Sequence, residues 1–164
     1  MDSVIVAVAQ YLPLLVVAAA AALWLTMPRS EKVSLAVKAV ISIAVVAGLI
    51  QLAAALHTDP RPFVVDPSVQ PLFAHPADNG FPSDHTALAS TVALLVLTYR
   101  RRAGAVLLVA AVLAGLARVA AHVHHLQDIA AGVLLAGITV AVAAAVWRWA
   151  LPRLPERVAA LVAA

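Results

Sequence analysis

Apolar runs long enough to cross a bilayer dominate this chain and leave few architectures open to it. A spanning helix needs about 20 predominantly apolar residues. Five segments meet or approach that length: Val4–Leu25, Val33–Leu56, Ser83–Tyr99, Ala103–Ala121 and Ile129–Ala150. Hydrophobic residues make up 64% of the chain and charged ones 12%, whereas a soluble domain is about half apolar and a quarter charged. The expected fold is therefore an all-α integral membrane protein, a bundle of five transmembrane helices forming one membrane-embedded domain over residues 1–164. The first run is too long for a signal-peptide core and follows Asp2 rather than basic residues, so it reads as a retained span. Abundant alanine and valine suit close helix packing through small side chains. With no cysteine, disulfides and thiolate metal sites are excluded.

The connections differ in kind. Met27–Lys32 and Arg100–Arg102 are short and basic; Thr58–Pro82 is long and acidic, and holds six of the ten prolines and all three phenylalanines. Proline at that density argues against regular helix. A loop of such length in a compact protein is usually functional, and its phenylalanines place it on the membrane surface. Basic residues favour the cytoplasmic side of a membrane. In a five-helix arrangement Arg29, Lys32, Arg100, Arg101, Arg102, Arg148, Arg153 and Arg157 share one side, with Lys38 just inside it. Only Arg61 and Arg118 fall on the other. The N-terminus and the long loop are thus expected outside and the C-terminus inside. Trp147 and Trp149 fit the inner aromatic belt, and Leu151–Ala164 reads as a short surface helix. No basic face suited to nucleic acid builds up.

Arg61 and Arg118 have no part in that topology rule. Near them at outer helix ends lie Ser83, His85, His124 and Asp128. Ionisable groups at spans are costly and usually functional. Guanidinium matches phosphate oxygens as a fork, and Ser83 as the N-cap of the third helix would open a second anion-binding feature. His124 and Asp128 are four residues apart, neighbours on one helical face, where a carboxylate fixes the imidazole tautomer and frees the other nitrogen as a nucleophile. Arg118 lies about 240° from His124 on an unbroken helix at about 100° per residue. If both face one pocket, the fourth helix ends near Ala121.

The stretches "DPRPF" (59–63), "FPSDH" (81–85) and "RVAAHVHHLQD" (118–128) resemble the three signature motifs of the type 2 phosphatidic acid phosphatase superfamily. "DNGFPSDHT" (78–86) resembles the bacitracin-resistance branch, bacterial undecaprenyl-pyrophosphate phosphatases. Three departures stand out: Ala54 where the family has a lysine, Ala117 where it has serine, and Asp84 where it has glycine. The resemblance implies a membrane phosphatase of the bacterial cytoplasmic membrane, its site facing outside, in a fold that typically has six spans, so that this chain is the core without one N-terminal helix. His124 would attack phosphorus, oriented by Asp128, and His85 would protonate the leaving oxygen. Arg61, Arg118, Ser83 and Asp84 would make up the phosphate site, with His57 a substitute for the missing lysine. No metal or other cofactor is implied. The substrate implied is a polyprenyl diphosphate in the bilayer, undecaprenyl diphosphate first; decaprenylphosphoryl-phosphoribose and phosphatidylglycerophosphate are the alternatives.

Other polar residues carry plainer readings. His122 and His125 belong to "HVHH", whose histidines point in different directions along a helix, so they read as interfacial rather than metal-ligating. His75, Asp59, Asp66 and Asp78 read as loop-structuring residues, and Gln10 and Tyr11 as packing contacts in the first span. A small transporter or a lipid-binding protein without activity is the competing class. Transporters carry charge near the bilayer midplane in broken helices, whereas the charges here gather at the ends. Membrane lipids are the expected surroundings, and homo-oligomerisation is left open.

Overall fold

A computed structural model describes residues 1–156. Helices α1 (Asp2–Leu25) and α2 (Arg29–Leu56) are followed by one helical turn, α3 (Pro62–Val65), and then by α4 (Asp84–Leu97), α5 (Arg101–Ala120) and α6 (Leu126–Ala150). Among the described residues there is no strand; an isolated bridge pairs Pro60 with Asn79. Among the described residues, four helices are long and apolar enough to cross a membrane: α1, α2, α5, and α6 with the 3-10 turn that continues it to Arg153. α4, with 14 residues, is shorter. The loop expected to exclude helix contains α3, which starts with Pro62 at its first position, where a missing N–H costs nothing.

Helix ends follow local chemistry more than hydropathy. α2 starts at Arg29, directly after Pro28, and α6 starts at Leu126 with His125 as N-cap, both earlier than the apolar runs. α4 begins where the serine signal placed it: Ser83 is the N-cap and its Oγ accepts from the Thr86 N–H. Of the tail expected to form a surface helix, Leu151–Arg153 is a 3-10 turn, and residues 157–164 lie outside the described residues.

α4 packs against α1, α2, α5 and α6 and is the centre of the bundle. The core between α1, α4 and α5 is built from Val16, Ala20, Ala89, Ala93, Val96, Leu107 and Ala111. Large apolar side chains point the other way: Leu14, Val40, Val106 and Leu134 are 65%, 69%, 68% and 65% exposed. Small residues inside and large ones outside is the arrangement lipid favours, since tails solvate leucine while close backbone approach supplies the packing. At Gly104 any side chain would run into the Leu97 backbone, so this glycine permits the tight α4–α5 hairpin.

The basic connections meet at one end of the bundle. Arg100 Nη2 lies 2.9 Å from Glu31 Oε2. Lys38 Nζ donates to Tyr99 Oη at 2.8 Å and sits 6.0 Å from the centre of the Trp147 ring. The loop 58–82 and the α5–α6 connection occupy the opposite end, tied together by the Leu72 N–H donating to Ala121 O at 3.1 Å and by a 3.0 Å bond between His122 Nδ1 and Gln70 O.

Candidate active site

Asn79 fixes the long loop. Its side-chain oxygen accepts from the Asp59 and Phe81 N–H groups at 2.9 and 3.0 Å, and its amide donates to Ala54 O and His57 O at 3.2 and 3.0 Å. One side chain thus clips both ends of the loop to the end of α2. In the sequence, Asp78-Asn79-Gly80 signals only a turn.

The connection after α5 supplies the rest. α5 stops at Ala120, and His122 takes a positive φ of 61°, unusual for a residue with a side chain. The chain turns between Arg118 and His124, as the geometry of an unbroken helix required. His124 precedes the N-cap of α6, so it does not share a helical face with Asp128; the expected contact forms by a different route. Asp128, at the third position of α6, reaches back and accepts from the His125 N–H at 2.8 Å, closing a capping box. The same oxygen, Oδ2, lies 3.1 Å from His124 Nδ1. Asp128 is fully buried and its Oδ1 has no partner.

His124 is 2% exposed. With Nδ1 at the carboxylate, Nε2 is left 3.3 Å from Arg61 Nη1. Burial, reinforced by the charges of Arg118 and Arg61, pushes the imidazole below its ordinary pKa despite Asp128. Arg61 is itself held by Val123 O at 2.7 Å and by Asp78 Oδ1 at 2.8 Å. Burial works against the Asp78 carboxylate, but the hydrogen bond and charge of Arg61 keep it below the usual range.

A cavity of about 200 Å³ opens beside these groups, lined by Arg61, His75, Asp78, Asp84, His85 and His124, with Ile50 and Ala54 on the α2 side. A larger cavity of about 290 Å³, between α1, α2 and α4, is lined almost wholly by apolar side chains and holds no reactive group. His85 stands on the first turn of α4, half exposed, with Nδ1 2.7 Å from Asp84 Oδ1. Asp84 therefore meets an imidazole, and an anion would not be drawn to it. Ser83 is fully buried; its Oγ is 3.0 Å from Thr86 Oγ1 and turned into the helix cap rather than into the cavity. His57 packs edge-on against Phe81, with ring centres 4.6 Å apart, and is not among the cavity's lining residues.

Arg118 lies against His75, which lines the cavity. It is 3% exposed, its Nη1 donates to Ala9 O at 3.4 Å, and its guanidinium carbon lies 5.9 Å from the centre of the Phe73 ring. Phe73 and Phe81 thus pack within the site. Arg118 Nη2 meets His75 Nε2 at 3.1 Å, and its Nε has no partner. The structure brings together Arg61, His85, His124 and Asp128, and adds His75, which the sequence offered only as a loop residue.

Asp59, His125 and Asp128 are the one group, among the described residues, whose ligand atoms are near enough to share a cation. Asp59 Oδ2 takes bonds from His125 Nδ1 and from Gln127. The arrangement is an ion-pair and hydrogen-bond network behind His124.

The PAP2 superfamily model matches residues 35–153, a span that includes every residue lining the cavity beside His124. The chain belongs to the PAP2 superfamily. Among curated relatives, "Bacitracin transport permease protein BcrC" from Bacillus licheniformis is 36% identical over 112 residues, 68% of this chain and 55% of that one. "Undecaprenyl-diphosphatase BcrC" from Bacillus subtilis (strain 168) is 33% identical over 93 residues, 56% of this chain and 48% of that one. This PAP2 chain spans about half the length of those relatives. No solved structure matches it.

Proposed function

We propose that this chain is a membrane phosphatase that removes the distal phosphate of a polyprenyl diphosphate, undecaprenyl diphosphate being the favoured substrate. The observation that carries the reading is one buried imidazole, His124, held between the Asp128 carboxylate and the Arg61 guanidinium beside a cavity that His85 also faces. Asp128 accepts the Nδ1 proton, which leaves the Nε2 lone pair for the distal phosphorus. As the N–P bond forms, the bond from phosphorus to the bridging oxygen breaks, and His85 supplies a proton to the departing lipid monophosphate. Water then attacks the phosphohistidine, His85 takes its proton, and orthophosphate leaves. Arg61 and Arg118 offset the charge that spreads over the phosphoryl oxygens in the transition state.

On this reading Asp84 orients His85 so that Nε2 faces the substrate, and Ser83 acts by capping the helix that carries it. The domain has five spans, with α4 as the fifth and shortest, and the site lies at the outer face of a bacterial cytoplasmic membrane. The one-sided distribution of basic residues supports that orientation. One relative's name speaks of transport, but the titratable groups of this site gather at an end of the bundle, where an interfacial enzyme keeps them.

The test is phosphate release from a panel of lipid mono- and diphosphates by the purified chain in detergent, with acid-labile, base-stable phosphoryl label sought on the protein. Label on wild type, absent in His124→Ala, with diphosphates turned over fastest, is the expected result. No release from any diphosphate removes the reading.

A further inference from the structure

We propose that His75 is a phosphate-binding residue of this site: its Nε2 holds the place of a phosphoryl oxygen on Arg118, and once displaced and protonated it becomes a third donor to the bound diphosphate. The inference rests on the phosphatase reading and adds a ligand to it. It starts from an imbalance. Arg118 is buried, yet its Nε has no partner and its Nη2 meets only the His75 imidazole, 3.1 Å away. A guanidinium can only donate, so the His75 Nε2 must accept, with the ring proton on Nδ1, which faces Pro76 O at 3.4 Å. Arg118 therefore meets a neutral lone pair where an anion's oxygen would satisfy it better.

The surroundings favour a neutral imidazole. Arg118 approaches from α5, Arg61 and Asp78 from the loop, and His124 from the α5–α6 turn with its ring centre 6.1 Å away. Asp84 and His85 line the cavity from α4, and α2 contributes only Ile50 and Ala54, without charge. Burial and the Arg61 charge lower the His75 pKa, and a dianion in the cavity reverses that balance. Phosphoryl oxygens that take over Arg118 leave Nε2 free. Beside so much negative charge it gains a proton and can donate, in a pocket where Ala54 provides no cation. Binding is then linked to proton uptake.

The experiment uses the full chain in detergent and sulfate, a tetrahedral dianion that does not titrate near neutral pH. Calorimetry in buffers of different ionisation enthalpy counts the protons taken up with it. Wild type should take up about one proton more than His75→Gln, whose amide can still accept from Arg118 but cannot be protonated. His75→Gln and His75→Ala should each bind sulfate more weakly, and raise KM for a lipid diphosphate, by roughly tenfold or more, the loss of a charge-assisted hydrogen bond. Thermal melts of both variants establish that the fold is retained. Unchanged proton uptake and affinity in both variants overturn the proposal. So does tighter sulfate binding, which would make His75 an obstruction and nothing more. If wild type binds sulfate with His75-dependent uptake but releases no phosphate from any diphosphate, it is the phosphatase reading that has failed.

Discussion

Replacing Gly132 by alanine tests whether the joint between α4 and α6 sets the geometry of the site. Gly132 lies one turn after Asp128, on the face of α6 that meets the start of α4. A Cβ there would stand 2.9 Å from Ser83 O, 3.1 Å from Ala87 N and 3.2 Å from Thr86 Cβ. Two of those atoms are backbone and cannot rotate away. Ordinary contact begins near 3.4 Å, so α4 and α6 must part by about 0.5 Å at this point. The Ser83 N–H that donates to Asp128 O at 3.1 Å stretches with them, and His85 moves relative to His124. Overpacking of this kind costs about 1–3 kcal/mol of stability. Misplacing a catalytic group by about 1 Å can cost about 10²-fold in rate, so half of that suggests roughly a tenfold fall in kcat. Gly137→Ala, on the same helix with nothing within 4 Å, is the control; it should be neutral or stabilising by up to about 1 kcal/mol. Phosphate release and thermal melts in one detergent measure both effects. If Gly132→Ala turns over and melts like wild type, the joint does not position the site.

Topology can be read with single cysteines, since the chain has none of its own: Gln70→Cys and Arg102→Cys, both at exposed positions, should label from opposite sides of the membrane, and same-side labelling removes the five-span arrangement. His124→Ala should abolish turnover of every substrate, whereas His85→Ala should retain relatively more activity on diphosphates than on monoesters. A phosphate monoester leaves readily without a proton and an alkoxide does not, and general acid catalysis contributes about 10²–10⁴-fold. Equal losses on both substrate classes would point to binding rather than proton donation by His85. Because burial and the two arginines lower the His124 pKa, the acid limb of kcat/KM should fall below the ordinary imidazole value of about 6.5, and Arg61→Gln should shift that limb upward. Stability follows the same sign. His124 and His75 bind protons less tightly folded than unfolded, so their contribution is complete above the ordinary value and is lost as pH falls through the lowered ones; a melting temperature independent of pH across that window would contradict the burial argument.

What the chain discloses before folding depends on how local each signal is. Apolar length marks the helices, and Ser83 marks the start of α4, because a cap acts on residues three positions away. The need for a turn between Arg118 and His124 follows from helical periodicity alone. Asp128 was legible as the partner of His124, though on the wrong grounds: the link is a capping side chain that reaches back, not a shared helical face. Contacts between distant segments left no such trace. His75 meets Arg118 across 43 positions, and Asn79 clips the loop to α2 through backbone groups that any residue would offer. Hydropathy also missed the first turn of α2, which follows Pro28 without a side-chain cap, and that of α6, where Asp128 caps the His125 N–H.

α4 has consequences for how such an enzyme would be measured. At about 1.5 Å per residue its 14 residues extend roughly 21 Å, against a hydrocarbon layer of about 30 Å. If its basic end is anchored at one surface by Tyr99 and Arg100, His85 at the other end lies recessed from the opposite surface. A diphosphate would then react without its lipid leaving the bilayer plane, and the enzyme would meet substrate in two dimensions. Its apparent affinity would scale with the mole fraction of lipid in the membrane or micelle rather than with bulk concentration. Adding inert detergent at constant substrate would slow the reaction by surface dilution alone.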